Sequence, residues 1–102
     1  MRLEHYSVEK LKKEILQIVG KHLDLNQYRV FFFGSRVSGR ADERSDIDVG
    51  IEGPRPVHSG AMLEIEEEVE NLPTLYKIDV VDFHDVGEKF KQVTKQYREM
   101  LT

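Results

Sequence analysis

Two short motifs in the middle of the chain combine residue types suited to chemistry on phosphates. Gly34-Ser35 is followed, after ten further residues, by Asp46-Ile47-Asp48. Gly34 has no Cβ, so the backbone can approach an anion closely, and Ser35 can offer a hydroxyl and an N–H at a helix start. Two carboxylates two residues apart can hold magnesium, a hard cation that binds carboxylate, phosphate and water oxygens. The combination predicts magnesium-dependent chemistry on the phosphates of a nucleoside triphosphate.

Two predicted strands must position these motifs. Residues 31–33 are three phenylalanines that run into Gly34 as a buried strand meeting a turn. Apolar side chains alternate along residues 47–51, which is typical of a second strand. Because alternate side chains of a strand point to the same face, Asp46 and Asp48 are expected to project together.

A third carboxylate is expected, because two metal ions about 4 Å apart need a further bridging or activating oxygen. Residues 76–83 predict a third strand, which contains Asp79 and Asp82. These two side chains point to opposite faces, so only one of them can join the site. Asp79 lies between apolar neighbours, where a carboxylate is costly unless a cation compensates it, whereas Asp82 lies near the strand end and can reach water. Asp79 is therefore the favoured third acid.

Taken together, these residues resemble the DNA polymerase β nucleotidyltransferase superfamily, specifically its minimal members that pair with an all-helical HEPN protein. Gly34-Ser35, Asp46 and Asp48 match the pattern Gly-Ser-x10-Asp-x-Asp without a gap, and Asp79 falls where the family has its third acid. The resemblance covers nearly the whole chain. It implies that the three aspartates bind magnesium and catalyse transfer, with Asp79 also helping to activate the incoming hydroxyl. It further implies that Gly34 and Ser35 hold the β- and γ-phosphates.

The resemblance also implies a donor and partners. ATP is the favoured donor, with AMP moved to a hydroxyl of a partner protein or a small molecule. Large members of the superfamily add a domain that binds the acceptor, so we expect a HEPN-type helical protein, or a second copy of this chain, to complete the cleft. Transfer to the HEPN partner would make the chain an antitoxin to a HEPN toxin, whereas transfer to another protein or a small molecule would not. An alternative stays open, in which the chain is a non-catalytic subunit that neutralises a HEPN ribonuclease by binding alone.

Composition restricts the partners further. The 15 basic and 19 acidic residues give a net charge of −4, which disfavours a protein that grips long nucleic acid through its phosphates. A triphosphate needs only local cations, for which Arg36, Arg40 and Arg44 are available, and we assign Arg36 and Ser45 to nucleotide binding. There is no cysteine, no apolar run near the ~20 residues of a membrane span and no signal-peptide pattern, so a cytoplasmic location is expected.

The remaining segments predict an α/β (α+β) fold with a small mixed sheet, in a single domain over residues 1–102. Ser7 should cap a first helix that ends near residues 24–26, and a middle helix should end before Pro73 with its glutamates mostly in water. A last helix should begin at a capping box that starts with Asp85 and carry an apolar stripe to Leu101. The stripe's end should leave apolar surface for self-association or partner docking. The four histidines lack metal-ligand spacing and receive no role.

Overall fold

The computed structural model describes residues 1–41 and 44–102. In chain order the elements are α1 (Val8–His22), β1 (Arg29–Phe33), α2 (Ser35–Ser38), β2 (Ile47–Glu52), α3 (Ser59–Glu70), β3 (Ile78–Asp82), α4 (Glu88–Lys95) and β4 (Glu99–Met100). The strands form one sheet in the order β3-β2-β1-β4. β2 and β3 run parallel, whereas β1 is antiparallel to β2 and to β4. The predicted α/β (α+β) fold with a small mixed sheet is confirmed. None of the helices described is both long enough and apolar enough to cross a membrane.

Helices α1 and α3 cover one face of the sheet and enclose the main core. The Ser7 side chain accepts a hydrogen bond from the Lys10 N–H, which satisfies one of the free donors at the start of α1, as the sequence predicts. The inward residues of both helices recur at helical spacing, and they pack on the alternating apolar residues of β1 and β2. The buried members of this core are Leu11, Ile15, Ile18, Val19, Val30, Phe32, Ile47, Val49, Ile51, Val57, Ile65 and Val69.

The opposite face carries a smaller aromatic cluster. Phe31, Phe33 and Phe83 are buried there, and the Phe83 ring centroid lies 4.9 Å from each of the other two in edge-to-face packing. The guanidinium of Arg98 lies 4.3 Å from the Phe31 ring centroid. Gly50 leaves room for this packing, because a Cβ at that position would collide with the rings of Phe31 and Phe83.

Polar side chains near the end of α1 connect it to α3. His22 Nε2 lies 2.6 Å from Oε2 of Glu68, and His22 Nδ1 lies 3.2 Å from Oε2 of Glu64. Lys21 also pairs with Glu68. Glu68 is therefore half-buried against the neighbouring helix, whereas Glu64 remains largely exposed, as the sequence predicts for most of these glutamates. His22, to which the sequence assigned no role, lies between the two helices.

The C-terminal part differs from the sequence prediction. α4 begins after Gly87 without a side-chain cap and ends at Lys95, so the capping box starting with Asp85 and the helix reaching Leu101 were wrong. The chain turns back and β4 pairs with the outer edge of β1, whose backbone groups require partners. The residues predicted to end the apolar stripe of the last helix therefore have different environments. Leu101 packs against the main core, whereas Tyr97 and Met100 stay exposed.

Candidate active site

The pairing of two parallel strands brings the acidic residues together. The register of β2 with β3 places Asp48 directly opposite Asp79, on neighbouring strands that are about 4.8 Å apart. Asp46 lies one residue before β2 and two before Asp48, so it approaches from the same side of the sheet. This is the face that carries the aromatic cluster, and Phe33 is the partner of Asp48 on β1.

Asp82 does not belong to this site. Its position, three residues after Asp79, places it on the other face of the sheet. Its Oδ2 accepts a hydrogen bond of 2.8 Å from the Val57 N–H, and its Oδ1 accepts one of 3.0 Å from the His84 N–H. Asp82 therefore holds the segment before α3 and the turn after β3, a structural role that the sequence did not reveal.

The turn after β1 lies against one of the acids. Gly34 has φ 83° and ψ −162°, a region of backbone conformation that is essentially restricted to glycine. A Cβ on Gly34 would collide with Oδ2 of Asp48 and lie 3.2 Å from its Cγ. Only glycine therefore lets this turn and this carboxylate lie together. Ser35 follows as the first residue of α2, whose first backbone hydrogen bonds run from the Val37 and Ser38 N–H groups to the Gly34 carbonyl.

The electrostatics of Asp48 reflect this crowding. Burial, and after it the negative charges of Asp79 and Asp46, raise the pKa of the Asp48 carboxyl above its ordinary value. The Lys77 ammonium lies 3.8 Å from Oδ2 of Asp46, but its side chain is 72% exposed and remains largely hydrated. A bound cation would relieve the mutual repulsion of these carboxylates.

The residues present fit magnesium as part of a complex with a nucleotide. The side chains concerned offer carboxylate oxygens, the ligands that this hard cation prefers. Within residues 1–41 and 44–102, no three acidic or histidine side chains lie close enough to form a complete ligand group by themselves. Magnesium is commonly held by one or two carboxylates together with substrate phosphates and water, so an incomplete set of protein ligands beside a turn suited to phosphates is compatible with it.

Arg36 and Ser45, assigned to nucleotide binding from the sequence, lie together. Arg36 Nε donates a 2.8 Å hydrogen bond to the Ser45 carbonyl, and its guanidinium lies 4.9 Å from the centroid of the Tyr76 ring. Arg36 therefore joins α2 to the segment that leads into β2. Arg40 and Arg44 are exposed on the loop between the two motifs.

Lys77 and Tyr76 are the residues at this site that sequence reasoning missed. Lys77 lies two residues before Asp79, so the alternation of strand side chains could have placed it on the same face. Tyr76 receives hydrogen bonds at its hydroxyl from the N–H groups of Glu4 and His5, which ties the N-terminal segment to the site's border. No sequence spacing indicates that long-range contact.

Comparisons with known proteins identify the family of the chain. The family model for polymerase beta nucleotidyltransferases matches residues 13–101, a span that contains both motifs and Asp79. A Haemophilus influenzae protein named "Probable protein adenylyltransferase MntA" is 30% identical over 88 residues, which cover 84% of this chain and 77% of that protein.

Solved structures share the fold. A toxin-antitoxin crystal structure with AMP-PNP has a TM-score of 0.71 and 18% identity, covering 89% of this chain and 72% of the other. A complex of a tri-AMPylated Shewanella oneidensis HEPN toxin with an MNT antitoxin has a TM-score of 0.69 and 15% identity, covering 92% of this chain and 71% of the other. At these identities the two structures establish the fold alone.

Proposed function

The chain belongs to the polymerase beta nucleotidyltransferase family, and from this premise we propose that it moves AMP from ATP to a hydroxyl of a HEPN-type partner protein. The observation that carries the proposal is the contact between the Gly34 turn and Asp48, which in turn lies opposite Asp79. A turn suited to phosphates and carboxylates suited to a metal then share one site. We further propose that the reaction takes place in the cytoplasm.

Each residue has a role in the proposed reaction. Asp46, Asp48 and Asp79 would hold magnesium, which supplies charge neutralisation for the triphosphate. Gly34 lets the backbone approach the β- and γ-phosphates, and the Ser35 N–H and hydroxyl bind them. Asp79 lies on the outermost of the strands that carry the acids, where it can accept the proton of an incoming hydroxyl.

Arg36 and Ser45 support nucleotide binding from the side of α2. Their mutual hydrogen bond and the stacking of Arg36 on Tyr76 hold the guanidinium at the border of the site. A guanidinium that is fixed in this way loses little freedom when it meets a phosphate. We propose that it binds the triphosphate's outer oxygens.

The proposed partner follows from the relatives. The Haemophilus influenzae relative is named as a protein adenylyltransferase, and the structural neighbours include an MNT antitoxin bound to an AMPylated HEPN toxin. We therefore propose that this chain acts as an antitoxin that modifies a HEPN-type toxin. The alternative is neutralisation by binding alone.

One experiment separates the two possibilities. The chain and a HEPN-type helical partner are incubated with magnesium and each of the four α-labelled nucleoside triphosphates in turn, and the label is located on a denaturing gel. Label on the partner from ATP, lost when magnesium is chelated, supports transfer. A partner that is neutralised without carrying label from any donor supports binding alone and contradicts the proposed reaction.

A further inference from the structure

β3 is a border strand of the sheet, and it carries Asp79. The other border strand, β4, has only two residues, and such short strands offer little for another chain to pair with. β3 has five residues, and all of them stay partly exposed. Proteins usually shorten or cover their sheet edges, so a longer open edge beside the candidate site is a feature that requires an explanation.

The register determines which backbone groups of β3 face outward. The Phe83 N–H donates a 2.8 Å hydrogen bond to the Ile51 carbonyl of β2. In a parallel pair the residues that bond to the neighbour alternate with residues that face away, so Asp79 pairs inward with β2, whereas Ile78 and Val80 point outward. In the part of the chain that the structure describes, no loop or helix backbone bonds to Ile78 or Val80 from outside. Their N–H and C=O groups are available to an added strand.

A groove with a volume of about 310 Å³ accompanies this edge. Its lining includes Glu66 and Glu70 from α3 and residues 77–80 from β3. The charged residues along this edge are mostly acidic, since Glu66 and Glu70 border it from α3 and Asp79 lies on β3 itself, whereas Lys77 is the basic residue of the lining. A partner with basic side chains would complement this surface.

Resting on the transfer reaction proposed above, we propose that the acceptor is an extended peptide segment of the partner, which pairs with the open edge of β3 as an added strand. Its backbone would bond to the outward groups of Ile78 and Val80. A residue beside Asp79 on that strand would lie about 5 Å away and on the same face, which brings its hydroxyl to the carboxylates. Basic residues near it would meet Glu66 and Glu70.

The transfer replaces one phosphorus–oxygen bond by another. The oxygen of an acceptor serine, threonine or tyrosine forms a bond to the α-phosphorus of ATP. The bond between that phosphorus and the oxygen bridging to the β-phosphate breaks, and pyrophosphate leaves with the electron pair. The hydroxyl proton passes to the Asp79 carboxylate. The edge pairing fixes which residue of the segment is modified, namely the one beside Asp79.

Val80→Pro tests the pairing, with Val80→Ala as its matched control. Proline removes the outward N–H and leaves the inward bonds of β3 in place, as edge strands tolerate, whereas alanine loses the same packing but keeps the N–H. We expect labelled AMP transfer to the HEPN-type partner to fall at least tenfold in the proline variant relative to alanine, equal to about 1.4 kcal/mol, with unchanged ATP binding by calorimetry. Equal transfer rates in the two variants would overturn the proposed docking.

Two charge-reversal variants provide a second test if the proline variant does not fold. Glu70→Lys reverses a charge in the groove, whereas Glu67→Lys makes the same change on the exposed side of α3. Transfer should fall several-fold in Glu70→Lys alone; equal rates for both variants contradict docking in the groove. A parent chain that binds ATP but labels no partner would overturn the proposed function itself. If the parent labels the partner, and Val80→Pro and Glu70→Lys label it at the same rate, the proposed function stands and only the proposed docking is overturned.

Discussion

Gly34 lies so close to the Asp48 carboxylate that a Cβ at position 34 would collide with Oδ2 of Asp48. The two residues belong to motifs separated by ten residues, and the antiparallel pairing of β1 with β2 brings them into contact. The turn proposed to bind phosphates and the carboxylate proposed to bind metal are thus in close proximity, and a side chain larger than hydrogen at position 34 would force one of them to shift.

Gly34→Ala should therefore lower the free energy of unfolding and weaken ATP binding. The methyl would displace Asp48, and the backbone conformation at Gly34 would add a strain of about 1–3 kcal/mol. Gly39→Ala is the control, because Gly39 also has positive φ, 82°, yet no atom of the described residues lies within 4 Å of its Cβ position. Urea unfolding and ATP titration should show a clearly larger loss for Gly34→Ala. Equal losses would mean that the contact with Asp48 is unimportant.

The stability of the fold should depend on the charge of Asp48. Burial, and then the charges of Asp79 and Asp46, raise the pKa of this carboxyl above its ordinary 3.8, so the folded state binds the proton more tightly than the unfolded state. Stability is consequently lost as pH rises from 3.8 through the raised pKa, and the loss is constant above it. Without divalent cations, Asp48→Asn should match the parent in acid and exceed its free energy of unfolding at neutral pH.

Magnesium plus ATP should raise the melting temperature of the parent but not that of the Asp46→Asn/Asp48→Asn variant.

Urea unfolding across the pH range of the Asp48 prediction provides its measurement, with Asp85→Asn as an exposed control that should follow the parent. If Asp48→Asn does not have a higher free energy of unfolding than the parent at neutral pH, the predicted repulsion is contradicted.

The two acids of β3 should have separable effects. Asp79→Asn should abolish transfer while the free energy of unfolding is kept. Asp82→Asn should retain transfer but lose about 1 kcal/mol, because the amide NH2 group that replaces one carboxylate oxygen cannot accept the hydrogen bond that this oxygen receives from the Val57 or His84 N–H. Transfer assays and denaturation of both variants check this. If Asp82→Asn lost transfer while Asp79→Asn kept it, Asp82 would be the catalytic acid and the role proposed for Asp79 would be wrong.

The contact between α1 and α3 should weaken in acid. Hydrogen bonds from Lys21 and then from His22 lower the pKa of Glu68 from its ordinary 4.5. The pairing contributes stability that is present above 4.5 and lost as pH falls through the lowered pKa. Glu68→Gln should therefore be less stable than the parent at pH 7, and the difference should disappear in acid. Glu67→Gln, on an exposed neighbour, should show no such dependence; a pH-independent deficit in Glu68→Gln would exclude the ion pairing as its cause.

Local patterns were sufficient to predict most of the fold and the placement of the acids. Alternation along residues 47–51 and helical spacing in α1 follow from burial of one face, which a sequence records directly. The opposite faces of Asp79 and Asp82 follow from strand geometry alone.

Long-range pairing explains what the sequence did not predict. Tyr97 and Leu101 are four residues apart and fit a helical stripe, but the open edge of β1 binds this segment as β4. The hydrogen bond of Arg36 to Ser45 and the anchoring role of Asp82 likewise depend on segments brought together by folding. No local spacing records such contacts.

The most direct test of the proposed active site is the rate at which labelled AMP moves from ATP to the HEPN-type partner, compared between the parent and Asp48→Asn. With magnesium present and enzyme in excess, we predict at least a hundredfold slower transfer in Asp48→Asn, equal to about 2.7 kcal/mol, while Asp85→Asn transfers at the parent's rate. Transfer by a folded Asp48→Asn protein at the parent's rate would contradict the assignment of the active site to the junction of Gly34, Asp48 and Asp79.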